Sequence, residues 1–194
     1  MTTSASLTIF HRLQEQVDSI HAIARQADTS DPAVAQSLRR SAYVLAVAAL
    51  DTFFHEVAAD KLTVAAMRAH PEAVRVANYI QNVSVVELTG QSGPSYVRLR
   101  LSYKTLVAPR SVDAAIAAWG DNPEALWLHY SLAQNSRPDR ERRQLELVYD
   151  RRNQIAHEAD WDSIQFDFRE MSESHLVDCL STVRRVAEGF SVLL

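Results

Sequence analysis

SAYVLAVAALDTFFHEV, residues 41–57, decides the fold. Between Ala42 and Val57 only Asp51, Thr52, His55 and Glu56 are polar, so a helix here is apolar almost all round and needs neighbours on every side. That is the central member of a helical bundle. Its start is marked by Asp31 before Pro32, an N-cap followed by a proline at the first helical position. Asp51 lies inside the apolar run, where a carboxylate is costly unless partnered. Its partner is either an N–H or Arg that merely ties helices together, or a group of an active site. Asp51 and His55 also stand at i and i+4, a spacing that suits a hydrogen bond or a metal. The HEVAA that follows Phe54 lacks the second histidine of a zinc-protease helix, which argues against metal.

Outward from this stretch the chain reads as helices. Phe10, Leu13, Val17, Ile20 and Ala24 recur at steps of three and four, giving an N-terminal helix over about 5–27. Pro71-Glu72 opens another through Ile80. Gly90 to Ser95 is the clearest loop. Tyr96 to Leu101 (YVRLRL) alternates, fitting a short strand, an extended arm or part of a helix; an arm or hairpin around residues 82–101 is the one non-helical element considered. Pro109, Ser111 and Asp113 start a helix with Val112, Ile116 and Trp119 as its stripe and Gly120 as its end. Leu126, Trp127 and Tyr130 belong to a short one. Arg137-Pro138-Asp139 opens a long helix over about 138–159. After an exposed connection from Asp160 to Phe168, Leu176, Leu180, Val183, Ala187, Phe190 and Leu194 mark a last helix over about 172–194. The expectation is an all-α fold in one domain, residues 1–194, with its core over about 32–190.

Composition narrows the chemistry. The 194 residues are 47% hydrophobic with 4 Gly and 6 Pro, which suits packed helices. A formal charge of −4 gives no global basic footprint, so nucleic acid would need a local patch. Gly90, Gly93, Gly120 and Gly189 cannot build a P-loop or a dinucleotide fingerprint. No G-x-S-x-G elbow occurs, and the seven histidines lack ligand spacing. No metal or cofactor is expected. The single cysteine, Cys179, excludes an internal disulfide and fits a reducing compartment and a core position. Met1 to Ser6 lacks the features of a signal peptide, and no apolar stretch reaches the ~18–20 residues that span a bilayer. A soluble, cytoplasmic protein without membrane contact is expected.

One stretch gathers reactive groups: Arg151-Arg152-Asn153-Gln154-Ile155-Ala156-His157-Glu158. Composition alone accounts for a single Arg-to-His spacing of this length, so spacing decides nothing. Context adds Asn153, which lies four residues before His157 on one helix face. Arg137 to Arg152 carries six Arg against Asp139, Glu141, Glu146 and Asp150, a mild excess that mixed helix faces often show.

R-N-x-x-x-H within RRNQIAHEAD resembles the motif of HEPN-domain ribonucleases. The 41–57 stretch resembles the central helix of the RiboL-PSP-HEPN branch of that superfamily, and YKTLVAPRSVDAAIAAWGDNPEALW, residues 103–127, is similar to its middle region, so the likeness covers about 35–190. It implies a HEPN-like helical bundle, a homodimer whose motifs face one another across an RNA cleft, and metal-independent cleavage by 2′-hydroxyl attack. By position it makes Arg152 and His157 the catalytic pair, Asn153 the polar residue after the Arg, and Asp51 a supporting acid; Arg151 assists or grips backbone phosphate. An imidazole, ordinarily titrating near ~6.5, can move the proton at cellular pH, while a guanidinium stays charged and forks onto phosphate. Arg152 and His157 lie about 140° apart on an ideal helix, so one helix does not pinch a phosphate between them unless the long Arg side chain folds round, and a second copy across a two-fold axis eases the geometry. The leading expectation is a dimeric endoribonuclease, a toxin-like or antiviral-defence effector with a cognate antitoxin or other partner. Alternatives are a non-catalytic HEPN-like RNA-binding or adaptor protein, and a structural helical domain with a partner encoded nearby.

Overall fold

The computed structural model describes residues 3–68, 71–81 and 83–194. It is all-α, with nine helices and a two-stranded hairpin among the described residues. In chain order these are α1 (Thr3–Ala27), α2 (Pro32–Ala66), α3 (Glu72–Ile80), α4 (Val85–Thr89), α5 (Gly93–Leu101), α6 (Pro109–Trp119), α7 (Pro123–Ala133), α8 (Pro138–Glu158), β1 (Trp161–Asp162), β2 (Asp167–Phe168) and α9 (Glu173–Leu193).

The all-round apolar stretch does what its composition requires. It forms the middle of the 35-residue α2, which packs against every other helix except α7. Asp31 caps α2, its Oδ1 accepting from Val34 N at 3.1 Å. By length and composition α2 could cross a membrane, contrary to the expectation that no stretch is long enough, yet 61% of its most apolar window is buried inside the bundle. A chain of aromatic edges ties the layers: Phe10 of α1 to Phe53 at 6.3 Å, Phe54 to Phe190 of α9 at 5.6 Å, and Phe190 to Trp127 of α7 at 4.9 Å. Cys179 is buried on α9.

Residues 83–101 correct the sequence expectation of an arm or hairpin; Asn82 lies outside the described residues. The segment is helical, α4 then α5, because Pro94 sits in the first turn of α5 and Val97 and Leu101, one turn apart, are the side chains it buries. The alternation in YVRLRL therefore reflects exposed Arg98 and Leu99 between two core positions, and the loop shrinks to Gly90–Ser92. Gly93 is needed there: a Cβ would stand 1.9 Å from the Leu88 carbonyl oxygen. The extended pair occurs instead after α8, where only a connection was expected. Trp161 pairs with Phe168 and Asp162 with Asp167, antiparallel.

Candidate active site at the end of α8

Helix α8 carries the Arg–Asn–His stretch in its last two turns. Asp139 and Glu141 in its first turn complement the helix dipole, and its core stripe runs Glu141, Leu145, Val148, Arg152, Ile155. In the middle of that stripe Tyr43 of α2 donates to the Val148 carbonyl at 3.5 Å. The helix stops because Ala159 (φ 52) and Asp160 (φ 61) both adopt left-handed backbone, while Asp160 N donates to the Gln154 carbonyl at 3.1 Å. Two such residues in succession cost about 1–2 kcal/mol each, so something must hold them.

The Asp160 carboxylate does so. It is wholly buried and receives Arg40 Nε of α2 at 2.7 Å and Arg151 Nη2 at 3.0 Å, with a second, short contact from Arg151 Nη1 to its other oxygen. Arg151 also donates to the Gln154 side chain at 3.3 Å and to the Glu170 carbonyl at 3.2 Å. Arg40 reaches the Arg169 carbonyl at 2.5 Å. Arg151 is thus committed to holding the chain reversal. Sequence reasoning missed Asp160, because a carboxylate nine residues beyond an arginine and past the helix end follows no helical period.

Arg152, the next residue, is placed differently. It is half-buried on the core stripe, and Nη1 donates to Asn153 Oδ1 at 3.0 Å. Its Nε is buried and has no partner among the described residues. No carboxylate among the described residues pairs with it. His157 is exposed near the last turn and makes no hydrogen bond or ion pair among the described residues. Asn153 lies on the same side of the helix, one turn earlier, half-buried. Arg152 and His157 stand about 140° apart around the axis and ~7.5 Å along it, so one chain does not aim both at one atom.

Asp51 is not brought to this place. Its Oδ1 accepts from Leu106 N at 2.6 Å, and Oδ2 lies 3.6 Å from His55 Nε2, which in turn reaches the Lys104 carbonyl at 3.0 Å. Asp51 and His55 fasten the segment between α5 and α6 onto α2. Arg40, the α2 residue beside Arg151, is eleven residues from Asp51, or ~16 Å along the helix. The carboxylate therefore supports the core, and it is the N–H partner, not an active-site group, that satisfies it.

The six arginines of 137–152 divide sharply. Arg142 forks onto Glu124 at 2.7 and 3.0 Å, sits 3.4 Å from Asp113 and lies 5.3 Å over the Trp127 ring. Arg143 pairs with Glu146 at 3.3 Å. Arg137, Arg140 and Arg152 have no acidic partner among the described residues. A groove of about 480 Å³ runs between α8 and α9, lined by Gln144, Leu147, Arg151, His175 and Asp178 among others. A larger cavity of about 590 Å³, by Asp18, His21, Arg184 and Glu188, lies against α1 and α9 and includes no residue of the motif. No family model, curated protein or solved structure matches this chain.

Proposed function

We propose that the protein is a metal-independent endoribonuclease of HEPN type, acting in the cytoplasm as a homodimer, with Arg152, Asn153 and His157 forming a site completed by a second copy. The observation that carries the proposal is the contrast within α8: among the described residues the half-buried Arg152 has no acidic partner and an unpartnered Nε, a feature it shares with Arg142, and the exposed His157 makes no hydrogen bond or ion pair two turns from a fully committed Arg151. A buried, unsatisfied donor costs about 1–3 kcal/mol, and a phosphate oxygen would satisfy it. In the reaction an imidazole removes the proton of a ribose 2′-hydroxyl, whose oxygen bonds to the adjacent phosphorus. The 5′-oxygen bond breaks and that oxygen takes a proton, leaving a 2′,3′-cyclic phosphate and a 5′-hydroxyl. His157 of one copy is the base, and Arg152 of the facing copy binds the charge that builds on the phosphoryl oxygens. A toxin or antiviral-defence role, with a cognate antitoxin, belongs to the same proposal.

The 140° separation supports a second reading, a non-catalytic HEPN-like RNA-binding or adaptor protein in which the motif only shapes an interface. Incubation of the purified protein with total RNA in excess EDTA separates the two. The nuclease predicts cleavage that falls about 10²–10⁴-fold in His157→Ala and Arg152→Ala variants of unchanged melting temperature. RNA binding that is equal in all three, without cleavage, supports the adaptor.

A further inference from the structure

Neighbouring residues of a strand normally face opposite ways, and Asp167 and Phe168 of β2 are neighbours. Here the Asp167 side chain turns back, Oδ1 accepting from Phe168 N at 2.7 Å, and both residues line one cavity of about 360 Å³ between β2 and the start of α2. Gln36 and Arg40 belong to its α2 side. The hollow is at the small end of ligand sites, with room for a single flat ring system. Phe168 is set for such a ring. It meets Trp161 edge to face at 5.4 Å and has the Arg40 guanidinium 5.4 Å from its centroid, yet it stays 55% exposed. Arg40 is itself fixed, since Nε holds the Asp160 carboxylate at 2.7 Å and Nη2 the Arg169 carbonyl at 2.5 Å. A nucleobase stacks on an aromatic face held in this way.

Two polar groups of the cavity have bonding capacity left. Gln36 Oε1 accepts from Met171 N at 3.3 Å and Arg40 Nη2 at 3.4 Å, which turns the amide NH₂ away from both and leaves it without an acceptor among the described residues. Asp167 makes no ion pair among them, and its Oδ2 receives no donor. The hairpin's other exposed acids differ, Glu158 and Asp162 lying 3.2 and 4.0 Å from Arg169. The cavity therefore offers a carboxylate with two acceptor oxygens beside one amide donor. An unpaired carboxylate repels phosphate, so the group that fits is a base and not the backbone. Two adjacent donors next to an acceptor along one edge belong to guanine alone: N1–H and the 2-amino group suit Asp167, and O6 suits the Gln36 amide. A paired guanine has that edge occupied, which restricts the ligand to a single strand.

We propose that this cavity reads one unpaired guanine of an RNA strand, Phe168 stacking on the base while Asp167 and Gln36 select its edge. The motif is close by. Arg40 holds Asp160, which follows His157 by three residues, so the Cα atoms of Asp160 and His157 are at most ~11 Å apart. A base in the cavity is then within a few nucleotides of a phosphate at His157. The proposal deepens the nuclease reading and rests on it for its functional meaning, since it adds a base preference at a set distance from the cut; the binding itself needs no catalysis.

Fluorescence anisotropy with labelled 2′-O-methyl RNA heptamers, which cannot be cut through the 2′-oxygen, tests it. A heptamer of uridines with one central guanine should bind about tenfold or more tighter than seven uridines, and central adenine or inosine should lose most of that gain. Asp167→Asn should erase the guanine preference and Gln36→Glu should reduce it, both at unchanged melting temperature, while Phe168→Leu should weaken every heptamer. Guanosine monophosphate should displace the guanine heptamer only at about tenfold or more higher concentration than unlabelled heptamer does. Heptamers that bind equally or not at all, a guanine preference that survives Asp167→Asn, or a mononucleotide that binds better than the strand would each overturn the proposal. Cleavage of total RNA by the same proteins, with the cut ends sequenced, keeps the readings apart. Guanine-selective binding without cleavage upholds the cavity and sinks the nuclease; cleavage with no guanine enriched at a fixed distance from the cuts does the reverse.

Discussion

Two carboxylates hold non-helical segments onto α2, and they do it to opposite ends. Asp51 draws the backbone N–H of Leu106 to 2.6 Å and so closes the segment between α5 and α6 over the core, where Leu106 and Val107 are buried. Asp160 draws in Arg40 and Arg151 and so fixes the foot of a hairpin whose own side chains stay in water. The first is a latch that covers apolar surface; the second is a pedestal that displays it. A fold stabilises latches for its own sake. A pedestal built from a wholly buried carboxylate, two largely buried arginines and two left-handed residues costs the fold free energy that a latch does not.

Breaking the pedestal should have the largest effect. Asp160→Ala leaves two guanidinium groups without their buried counter-charge, and about 3–5 kcal/mol of unfolding free energy is expected to vanish in urea titration. Asp51→Ala removes the acceptor of the Leu106 N–H and the carboxylate beside His55, so about 1–3 kcal/mol is expected, and dimer mass and RNA cleavage should not change. Equal functional damage by both variants would erase the contrast.

A third carboxylate sharpens it through pH. Glu173 at the start of α9 is opposed by burial, but the hydrogen bonds from His21 at 2.7 Å and Arg39 at 3.1 Å outweigh that and hold its carboxyl below the ordinary range. A depressed folded pKa means stability that is complete above the ordinary carboxylate range and lost as pH falls through the folded value. Thermal melts from pH 7 to pH 3 should therefore show wild type losing about 1–3 °C more than Glu173→Gln over the acid end. Parallel curves would remove this carboxylate from the account. The smallest effect is chemical: burial pushes the Cys179 thiol well up, so alkylation by iodoacetamide should be slow in the native protein and fast in urea.

Most of the helices were legible because their periods are long and their caps conventional: Asp31-Pro32, Asn122-Pro123 and Gly120 all act as their residue types dictate. The failures share one cause. Alternation over five or six residues is ambiguous, and at Tyr96–Leu101 it leaves strand, arm and helix open, where Val97 and Leu101 are the buried positions of a helix. The same alternation at Ile164, Phe166 and Phe168 runs from the turn into β2 of the hairpin, and nothing local shows that those side chains are exposed. At the candidate site, the helix bearing Arg152, Asn153 and His157 could be read from the chain. The division of labour between Arg151 and Arg152 could not, because Asp160 reaches Arg151 only after two left-handed residues reverse the backbone. Asp51 looked like a supporting acid for want of any sign that its partner is the N–H of Leu106, fifty-five residues away.

The shared site is tested most directly by mixing two crippled proteins. Arg152→Ala and His157→Ala should each be inactive alone on RNA in EDTA. If Arg152 of one copy works with His157 of the other, then after subunit exchange half of the dimers hold one intact site, and about a quarter of wild-type activity should return. A mixture as inert as its components, with exchange verified by mass, would contradict the account.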